Sequence, residues 1–297
     1  LPIPGATAYQ PRGGTFPAQA RASARRRGLI RGRLMQAFEP LNRMRQFMGE
    51  MEREIMADTD CQLLAVSQMV QDEFVAHYGR TDGRVVFNAV ALPAMDVETR
   101  QHERQRMRYM LGLRSSDPLY LCVATNFRLK GVLEMMAGYS DWVQGGPSAS
   151  KSRLIIVGQE NTDGYTRIAA MRQIAKQVTF VPPTDEVDRF YAAADVCVLL
   201  SWYDPCSRVV LEAATWGVPS ITTRYNGAAE IADRGAGIVV ASPKSRADVA
   251  RAFAELSNVG RRAEYVEACE GLAEELSIGR HVDELETIFQ ERLQEQA

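Results

Sequence analysis

Short apolar runs alternate with amphipathic stretches from Leu119 to Val240, and this alternation constrains the fold more than any other feature. The apolar runs predict six strands, at 119–124, 154–157, 178–181, 196–200, 220–222 and 238–240. The intervening stretches predict helices near 131–143, 165–177, 185–193, 207–216 and 228–232. Near-continuous apolar strands separated by helices are typical of a parallel sheet covered on both faces. The sequence therefore predicts a doubly wound α/β domain that binds its ligand beyond the carboxyl ends of the strands.

The segments on either side of this region are less regular. Before it, strand patterns at 1–9, 63–66 and 84–90 enclose a helical spacing at 29–57 that Pro40 interrupts. We expect a linker at 91–96, which contains Pro93, and then a polar helix at 97–113. The end of the chain is predicted to be mainly helical, most clearly at 263–276 and 282–293. Because a strand opens the sequence and runs into the turn at 11–14, we expect the chain to begin inside a domain.

Charge and cysteine content narrow the possible partners and compartments. The first fifty residues hold nine arginines and two acidic residues, although the whole chain has a net charge of −2. Such a basic segment indicates contact with something anionic, for which a phosphorylated lipid head group, a membrane surface and a nucleic acid are candidates. The five cysteines are scattered without a CxxC pair, which indicates buried thiols in a reducing compartment and neither a disulfide framework nor a zinc site.

The first candidate binding motif follows the strand at 119–124. Asn126, Arg128, Lys130 and Gly131 lie between that strand and the next predicted helix. Backbone amides, the helix dipole and two cationic side chains would all point toward an anion placed here. A solvated basic loop explains the same residues about equally well when the motif is taken alone.

The second candidate motif follows the apolar strand at 196–200. Asp204 precedes a predicted helix and Glu212 lies inside it, so two carboxylates could accept hydrogen bonds from different hydroxyl groups. Ser207 is suited to cap the start of this helix, and Gly217 its end. An ordinary exposed helical glutamate is the alternative for Glu212, but its neighbours are almost all apolar or small. The backbone amides at 206–209 are available for a phosphate or sugar oxygen.

These two motifs, in this order, resemble glycosyltransferase family 4, and most closely its bacterial group 1 members akin to the lipopolysaccharide core glucosyltransferases. The resemblance covers roughly residues 61–240 and is most specific at 204–219. It also includes a strand at 154–158, a turn at 180–182 and a glycine-containing loop at 222–230. It implies a GT-B fold, in which two Rossmann-like domains face each other across a cleft. The C-terminal domain would be complete, and only the second half of the N-terminal domain would be present.

The resemblance also implies residue roles. Lys130, with Arg128 as a weaker candidate, would bind the diphosphate of a nucleotide-sugar donor, Glu212 the ribose hydroxyls and Asp204 the hydroxyls of the sugar. Backbone at 181–182 would contact the base, and backbone at 207–209 the phosphate or ribose. Lys130, Asp204 and Glu212 are expected to be catalytic. The implied donor-binding set is Asn126, Arg128, Lys130, Gly131, Val181, Pro182, Asp204, Pro205, Cys206, Ser207, Arg208, Val209 and Glu212.

Two positions depart from the family pattern. Asp204 stands where the family usually has the longer glutamate, so its contact could shift to another sugar hydroxyl. Arg12 stands in the turn where the family often has the His of a His-Gly-Gly sequence, which puts a catalytic role at that turn in doubt. A complete enzyme would have further strands before this turn, carrying a glycine-rich loop that approaches the donor phosphates. His77, His102 and His281 have no triad or ligand spacing, and structural roles are expected for them.

From the resemblance we expect a retaining hexosyltransferase that uses a nucleotide diphosphate sugar, in particular a UDP-sugar, and a lipid-linked or cell-envelope glycan acceptor. The resemblance implies neither a bound metal nor another cofactor, which agrees physically with cations and a helix terminus neutralising the leaving diphosphate. The alternatives are a nucleotide-sugar-binding module without catalysis and a related epimerase, although the latter needs a second acid/base pair that the sequence does not suggest. The expected domains are residues 1–92 on the acceptor side, 93–276 for the donor, and 277–297 as a helix packing back on the first. A cytoplasmic protein peripheral to the inner membrane, touching it through the arginines of 21–33 and binding no nucleic acid, is the expected setting.

Overall fold

The computed structural model describes residues 2–28, 43–146 and 151–295, which form two parallel sheets with helices around them. The strands are β1 Ala8–Tyr9, β2 Gln62–Ala65, β3 Arg84–Val85, β4 Leu119–Val123, β5 Arg153–Val157, β6 Val178–Val181, β7 Val196–Leu199, β8 Ser220–Thr223 and β9 Gly237–Val240. The helices are α1 Phe16–Arg27, α2 Arg43–Ala57, α3 Gln68–Tyr78, α4 Val97–Met110, α5 Val132–Gln144, α6 Asp163–Met171, α7 Val187–Ala193, α8 Arg208–Thr215, α9 Ala229–Ile231, α10 Arg246–Ser257, α11 Val259–Leu272 and α12 Ile278–Glu295.

The larger sheet contains six parallel strands in the order β6-β5-β4-β7-β8-β9. All six strands predicted between 119 and 240 form, and their ends differ from the prediction by at most one residue. Strand β4 pairs with both β5 and β7, so the chain reverses its direction of winding between β4 and β7. This is the doubly wound order in which a crevice opens between the carboxyl ends of the two central strands.

Helices cover both faces of this sheet, as its apolar strands require. Every residue of β7 is buried, and Tyr120 of β4 packs edge-on against Phe253 of α10 with ring centroids 4.8 Å apart. The hydroxyl of Tyr120 donates to the carbonyl of Phe253 at 2.8 Å, which satisfies its one polar group inside the core. All five cysteines are buried and unpaired, as predicted. Within the described parts of the chain, no helix is long and apolar enough to cross a bilayer.

The smaller sheet contains β1, β2 and β3 in that order, all parallel. Its outer strands are shorter than the patterns at 1–9 and 84–90 predict. At the first, Pro2 and Pro4 lack amide donors and Gly5 turns the chain with φ +78°. At the second, Val86 still donates to Ala65 at 2.8 Å and Asn88 to Val66 at 3.1 Å, but Val90 pairs with Ser277 instead. The predicted helical spacing at 29–57 is observed from Arg43 onward, and 29–42 lies outside the described residues.

The C-terminal helix α12 packs against this smaller sheet. Ile288 joins Leu64 and Val86 in a buried apolar cluster. At the start of the helix, Nδ1 of His281 lies 3.0 Å from the carbonyl oxygen of Phe87, so this histidine has a structural contact. The domain limits at 92 and 276 stay a prediction, because these contacts do not define a boundary residue.

Candidate functional site

A cavity of about 490 Å³ opens at the carboxyl ends of β4 and β7, where the winding of the large sheet reverses. Its wall contains Lys130 from the turn after β4, Asp204 from the loop after β7, and Glu212 from α8. These are the three side chains expected to carry the chemistry, and the fold brings them into one cavity. Cys206, Ser207, Arg208 and Val209, also expected on the donor side, line the same cavity.

Lys130 is presented by a tight turn between β4 and α5. The side chain of Asn126 accepts a hydrogen bond from the amide of Leu129 at 2.9 Å, which shapes the turn. Gly131 has φ +67°, and a Cβ built there would lie 2.1 Å from the carbonyl oxygen of Leu200. Only glycine permits this close approach of the turn to the end of β7. Asn126 and Gly131 therefore position Lys130, and neither lines the cavity itself.

Asp204 is buried and pairs with Lys130 through a short ion pair between Oδ2 and Nζ. Two backbone hydrogen bonds fix its position: its amide donates to the carbonyl of Tyr225, and the amide of Gly227 donates to its carbonyl, both at 2.8 Å. The loop at 225–227 follows β8, so the neighbouring strand holds the carboxylate in place. A cation and a carboxylate thus meet directly at the crevice between β4 and β7.

Glu212 is half-buried on the second turn of α8. Its Oε2 accepts a hydrogen bond from the hydroxyl of Tyr191 at 2.9 Å, and its Oε1 lies 3.6 Å from Nη2 of Arg208. Burial raises the pKa of Glu212 above its ordinary value, although Tyr191 and Arg208 favour the charged form. The oxygens of a carboxyl group have more lone pairs than these contacts use, so Glu212 can still accept hydrogen bonds from hydroxyl groups of a ligand in the cavity.

The start of α8 is held by an amide side chain from a distant loop. Ser207 is the N-cap residue, but its side chain makes no capping bond. Its own amide donates to Oδ1 of Asn226 at 3.1 Å, so that amide is already occupied within the chain. The amides of Arg208 and Val209 have no partner within the helix, because they belong to its first turn. These two amides therefore remain available to donate to a ligand oxygen.

The residues that line the cavity after β6 lie later in the chain than the two that were predicted to contact the base. Val181 and Pro182 do not line it, whereas Pro183, Thr184 and Val187 do. The carbonyl of Val181 accepts a hydrogen bond from the amide of Gly158 at 3.0 Å, so sheet pairing continues through this residue. Free backbone becomes available only after the strand has ended.

Two further residues that were predicted for the donor site have contacts elsewhere. Arg128 is exposed and lies outside the cavity lining. Its charge acts on Arg26 of α1, whose pKa is lowered mainly by burial and then by Arg128. Pro205 also lies outside the lining, and its carbonyl accepts a hydrogen bond from Oγ of Ser67 at 2.6 Å. The side chain of Ser67 also accepts a hydrogen bond from the amide of Val70 and so caps the start of α3.

The N-terminal domain contributes cavity residues that the motifs did not assign to the donor. Arg12, from the turn after β1, and Asn88, beyond β3, both line the cavity. Nδ2 of Asn88 donates to the carbonyl of Cys206 at 3.1 Å, which joins the two domains beside the site. Arg12 was noticeable in the sequence only as a departure from the family turn. Nothing near Asn88 in the sequence distinguishes it from an ordinary strand-end residue.

The two facing parallel sheets with a cleft between them define the GT-B fold. A crystal structure of WaaG, described as a glycosyltransferase involved in lipopolysaccharide biosynthesis, superposes with a TM-score of 0.74. The match covers 92% of this chain and 72% of that one at 20% identity, which establishes the fold. A crystal structure of Anabaena HepE in complex with UDP and glucose gives a TM-score of 0.64 at 16% identity, over 77% of this chain and 62% of that one.

The family follows from the sequence of the larger domain. The sequence model of the family described as "Glycosyl transferases group 1" matches residues 119–258, and this part of the chain is a domain of that family. The lipopolysaccharide glucosyltransferase WaaG of Escherichia coli strain K12 is 29% identical over 149 residues, which are 49% of this chain and 38% of that protein. The chain thus spans well under half of the length of this curated relative in the sequence match.

Proposed function

We propose that this protein transfers a hexose from a nucleotide diphosphate sugar, a UDP-sugar in particular, to a lipid-linked or cell-envelope glycan, with retention at the anomeric carbon. The observation that carries the proposal is the single cavity that brings together Lys130, Asp204 and Glu212. A nucleotide diphosphate sugar has an anionic part and two separate sets of hydroxyl groups, and this cavity offers a cation and two carboxylates. Membership of residues 119–258 in a glycosyltransferase family supports the same reaction class.

In this proposal each side chain acts on a different part of the donor. Lys130 and the first-turn amides of α8 bind the diphosphate and stabilise the negative charge that develops on it as the glycosidic bond to phosphate breaks. Glu212 accepts from the ribose hydroxyls, and Asp204 accepts from hydroxyls of the sugar. No cluster of three potential metal ligands occurs in the described part of the chain. In this proposal the charge stabilisation comes from Lys130 and the helix start.

The choice of uridine rests on comparison. HepE, which shares the fold, was crystallised with UDP and glucose, and the E. coli relative is named a glucosyltransferase. The backbone at Pro183 and Thr184 would contact the base, because these residues lie at the same cavity next to the end of β6. Base contacts made through backbone atoms select by hydrogen-bonding pattern, so a single base is expected to bind best.

The test is a calorimetric titration of the protein with UDP, GDP and ADP, and then with their glucose conjugates. We expect UDP to bind most tightly. Lys130→Ala should reduce UDP affinity by about 10-fold or more, since a charged hydrogen bond contributes roughly 1.5 to 3 kcal/mol. Glu212→Gln should also weaken binding through the ribose while leaving the fold intact. Unchanged UDP affinity in both variants would contradict the assignment, and binding without sugar transfer would leave a donor-binding module.

A membrane contact through the basic N-terminal segment is part of the same proposal. Of the arginines in 21–33, Arg21, Arg25 and Arg27 are exposed on α1, and 29–33 lies outside the described residues. Cζ of Arg25 lies 4.1 Å from the centroid of the Tyr225 ring, so this arginine is less available for contact with a membrane. On α2, which packs against α1, Met44 and Phe47 are 70% and 56% exposed, so the N-terminal part of the chain exposes apolar side chains as well. Exposed cations and apolar residues together favour an anionic bilayer surface.

Vesicle sedimentation tests this contact. Binding to vesicles containing anionic phospholipid should exceed binding to neutral vesicles. The double variant Arg21→Gln/Arg27→Gln should weaken binding to anionic vesicles by an amount near 1 kcal/mol per arginine. Phe47→Ser should weaken it at high salt, where electrostatic attraction is screened. Equal binding of the wild type to both kinds of vesicle would contradict an electrostatic contact.

A further inference from the structure

The charges around the cavity are paired, with one exception. Lys130 forms an ion pair with Asp204, and Nη2 of Arg208 lies 3.6 Å from Oε1 of Glu212. Arg12 is the remaining cation in the lining. Its Nε reaches only the side-chain oxygen of Gln10, at 3.5 Å, and no described residue places a carboxylate within ion-pair distance of it. The surplus positive charge of this cavity therefore belongs to the N-terminal domain.

The turn that carries Arg12 is fixed by contacts with both domains. The amide of Gly14 donates to the carbonyl of Pro11 at 2.9 Å, which closes the turn. A Cβ built on Gly14, at φ +73°, would lie 1.7 Å from the hydroxyl oxygen of Tyr203, so the turn packs directly on the loop that carries Asp204. Only glycine fits at this position.

A buried carboxylate completes this arrangement. Oε2 of Glu73 accepts from the amide of Thr15 at 3.0 Å, from the hydroxyl of Thr15 at 2.9 Å and from the hydroxyl of Tyr203 at 2.9 Å. The residue after the turn and the residue before Asp204 are thus bonded to one carboxylate oxygen. The turn that carries Arg12 is consequently held against the loop that carries Asp204 by backbone and buried contacts that do not involve the side chain of Arg12.

We propose that Arg12 is a second diphosphate-binding residue, supplied by the N-terminal domain to a donor bound on the C-terminal domain. This inference rests on the proposed function, because it assumes that the cavity binds a nucleoside diphosphate. A diphosphate carries more negative charge than Lys130 alone can neutralise while it also contacts Asp204. A guanidinium can donate two hydrogen bonds to phosphate oxygens in a bidentate geometry. Its position in the other domain means that the diphosphate, once bound, bridges the two domains.

The experiment compares UDP with uridine in calorimetric titrations of the full chain and its variants. Arg12→Ala should reduce UDP affinity by about 10- to 100-fold, the loss expected for a charged hydrogen bond. It should leave uridine affinity unchanged, because uridine lacks the phosphates. Arg12→Lys should restore part of the UDP affinity, since it keeps the charge but not the bidentate geometry. The matched control is Arg53→Ala, which removes an exposed arginine of the same domain and should leave both affinities unchanged.

The outcomes separate this inference from the proposed function. Wild-type binding of UDP together with equal UDP affinity in Arg12→Ala would overturn the role of Arg12 and leave the donor site standing. A loss of uridine affinity that matches the loss of UDP affinity would also overturn it, because the residue would then shape the site rather than bind phosphate. Absence of nucleotide binding by the wild type would overturn the proposed function and this inference with it. Thermal unfolding of each variant shows whether the fold is preserved.

Discussion

At the residue scale, the contact between Lys130 and Asp204 has a consequence for binding. Their side chains are 20% and 11% exposed, so the ion pair is partly shielded from water. If Lys130 binds the donor diphosphate, part of its interaction with Asp204 must be given up when the ligand enters. The two residues are then competitors before binding, although the proposed reaction needs both.

This competition predicts that Asp204→Asn increases UDP affinity. Removal of a partly exposed ion pair frees Lys130 by up to about 1 kcal/mol, which is roughly a fivefold gain in affinity. Sugar transfer should fall sharply in the same variant, because the contact with the sugar hydroxyls is weakened. Calorimetry with UDP measures the first effect and a transfer assay with UDP-glucose the second. Asp204→Glu keeps the charge and serves as the control; weaker UDP binding by Asp204→Asn would contradict the competition.

At the scale of elements, the end of the large sheet opposite the cavity is held by a charge cluster. Asp195 immediately precedes β7 and is buried, with ion pairs to Arg104 and Arg108 of α4 and to Arg262 of α11. Its Oδ2 also accepts from the amide of Leu119 at 2.8 Å, at the start of β4. One carboxylate therefore fixes two helices to the two strands whose opposite ends form the site.

Because of this cluster, we expect Asp195→Asn to lower the free energy of unfolding by a large amount that depends on pH. Burial acts to raise the pKa of Asp195, but the three arginines outweigh it and the pKa is lowered. The stabilisation is therefore present above the ordinary aspartate pKa and is lost as the pH falls through the lowered value. Breaking a buried pair costs about 3 to 5 kcal/mol. In urea unfolding at pH 7, the free energy of unfolding of the wild type should exceed that of the variant by this amount. The difference should shrink only below about pH 4.

The matched control is Asp141→Asn, because Asp141 pairs with Arg246 at the surface. Exposed pairs contribute 1 kcal/mol or less, so this variant should unfold almost like the wild type. If Asp195→Asn lowered the free energy of unfolding as little as Asp141→Asn, the cluster would not hold the elements together.

At the scale of the whole molecule, hydrogen bonds between the domains converge on the loop that carries Asp204. Ser67 donates to the carbonyl of Pro205, Asn88 donates to that of Cys206, and Tyr203 donates to Glu73. Burial is the main cause that raises the pKa of Glu73, and its three hydrogen bonds partly oppose this effect. The geometry of the donor cavity therefore depends on how the two domains sit together.

Removal of the hydroxyl in Tyr203→Phe tests this coupling. The variant leaves the buried carboxylate of Glu73 with one donor fewer, which should lower the free energy of unfolding at pH 7 by about 1 to 3 kcal/mol. The deficit should become smaller as the pH falls through the raised pKa of Glu73, because a protonated carboxyl depends less on donated hydrogen bonds. Thermal unfolding at pH 7 and pH 5 measures both effects. Tyr139→Phe, whose hydroxyl lies 2.7 Å from Oγ of Ser152, is the control and should show a pH-independent cost.

The sequence alone determined the large sheet and the side chains that its strand ends bring together. Apolar strands of regular length alternate with helices there, and burial on both faces leaves little freedom in where such strands begin and end. Because the strands are parallel, the residues that follow β4 and β7 must emerge at the same edge. This is why Lys130, Asp204 and Glu212 could be predicted to share a site from their spacing and family resemblance.

Only the tertiary structure decided which backbone atoms and which residues of the other domain reach that site. The carbonyl of Val181 is taken up by sheet pairing and the amide of Ser207 by Asn226, two non-local bonds that no local pattern reveals. Arg12 and Asn88 enter the cavity because the domains pack against each other at the 203–206 loop. The periodicity of apolar residues indicates the face on which a residue lies within its own helix or strand. The position of one domain against another depends on contacts between residues far apart in the chain, and these exist only once the chain has folded.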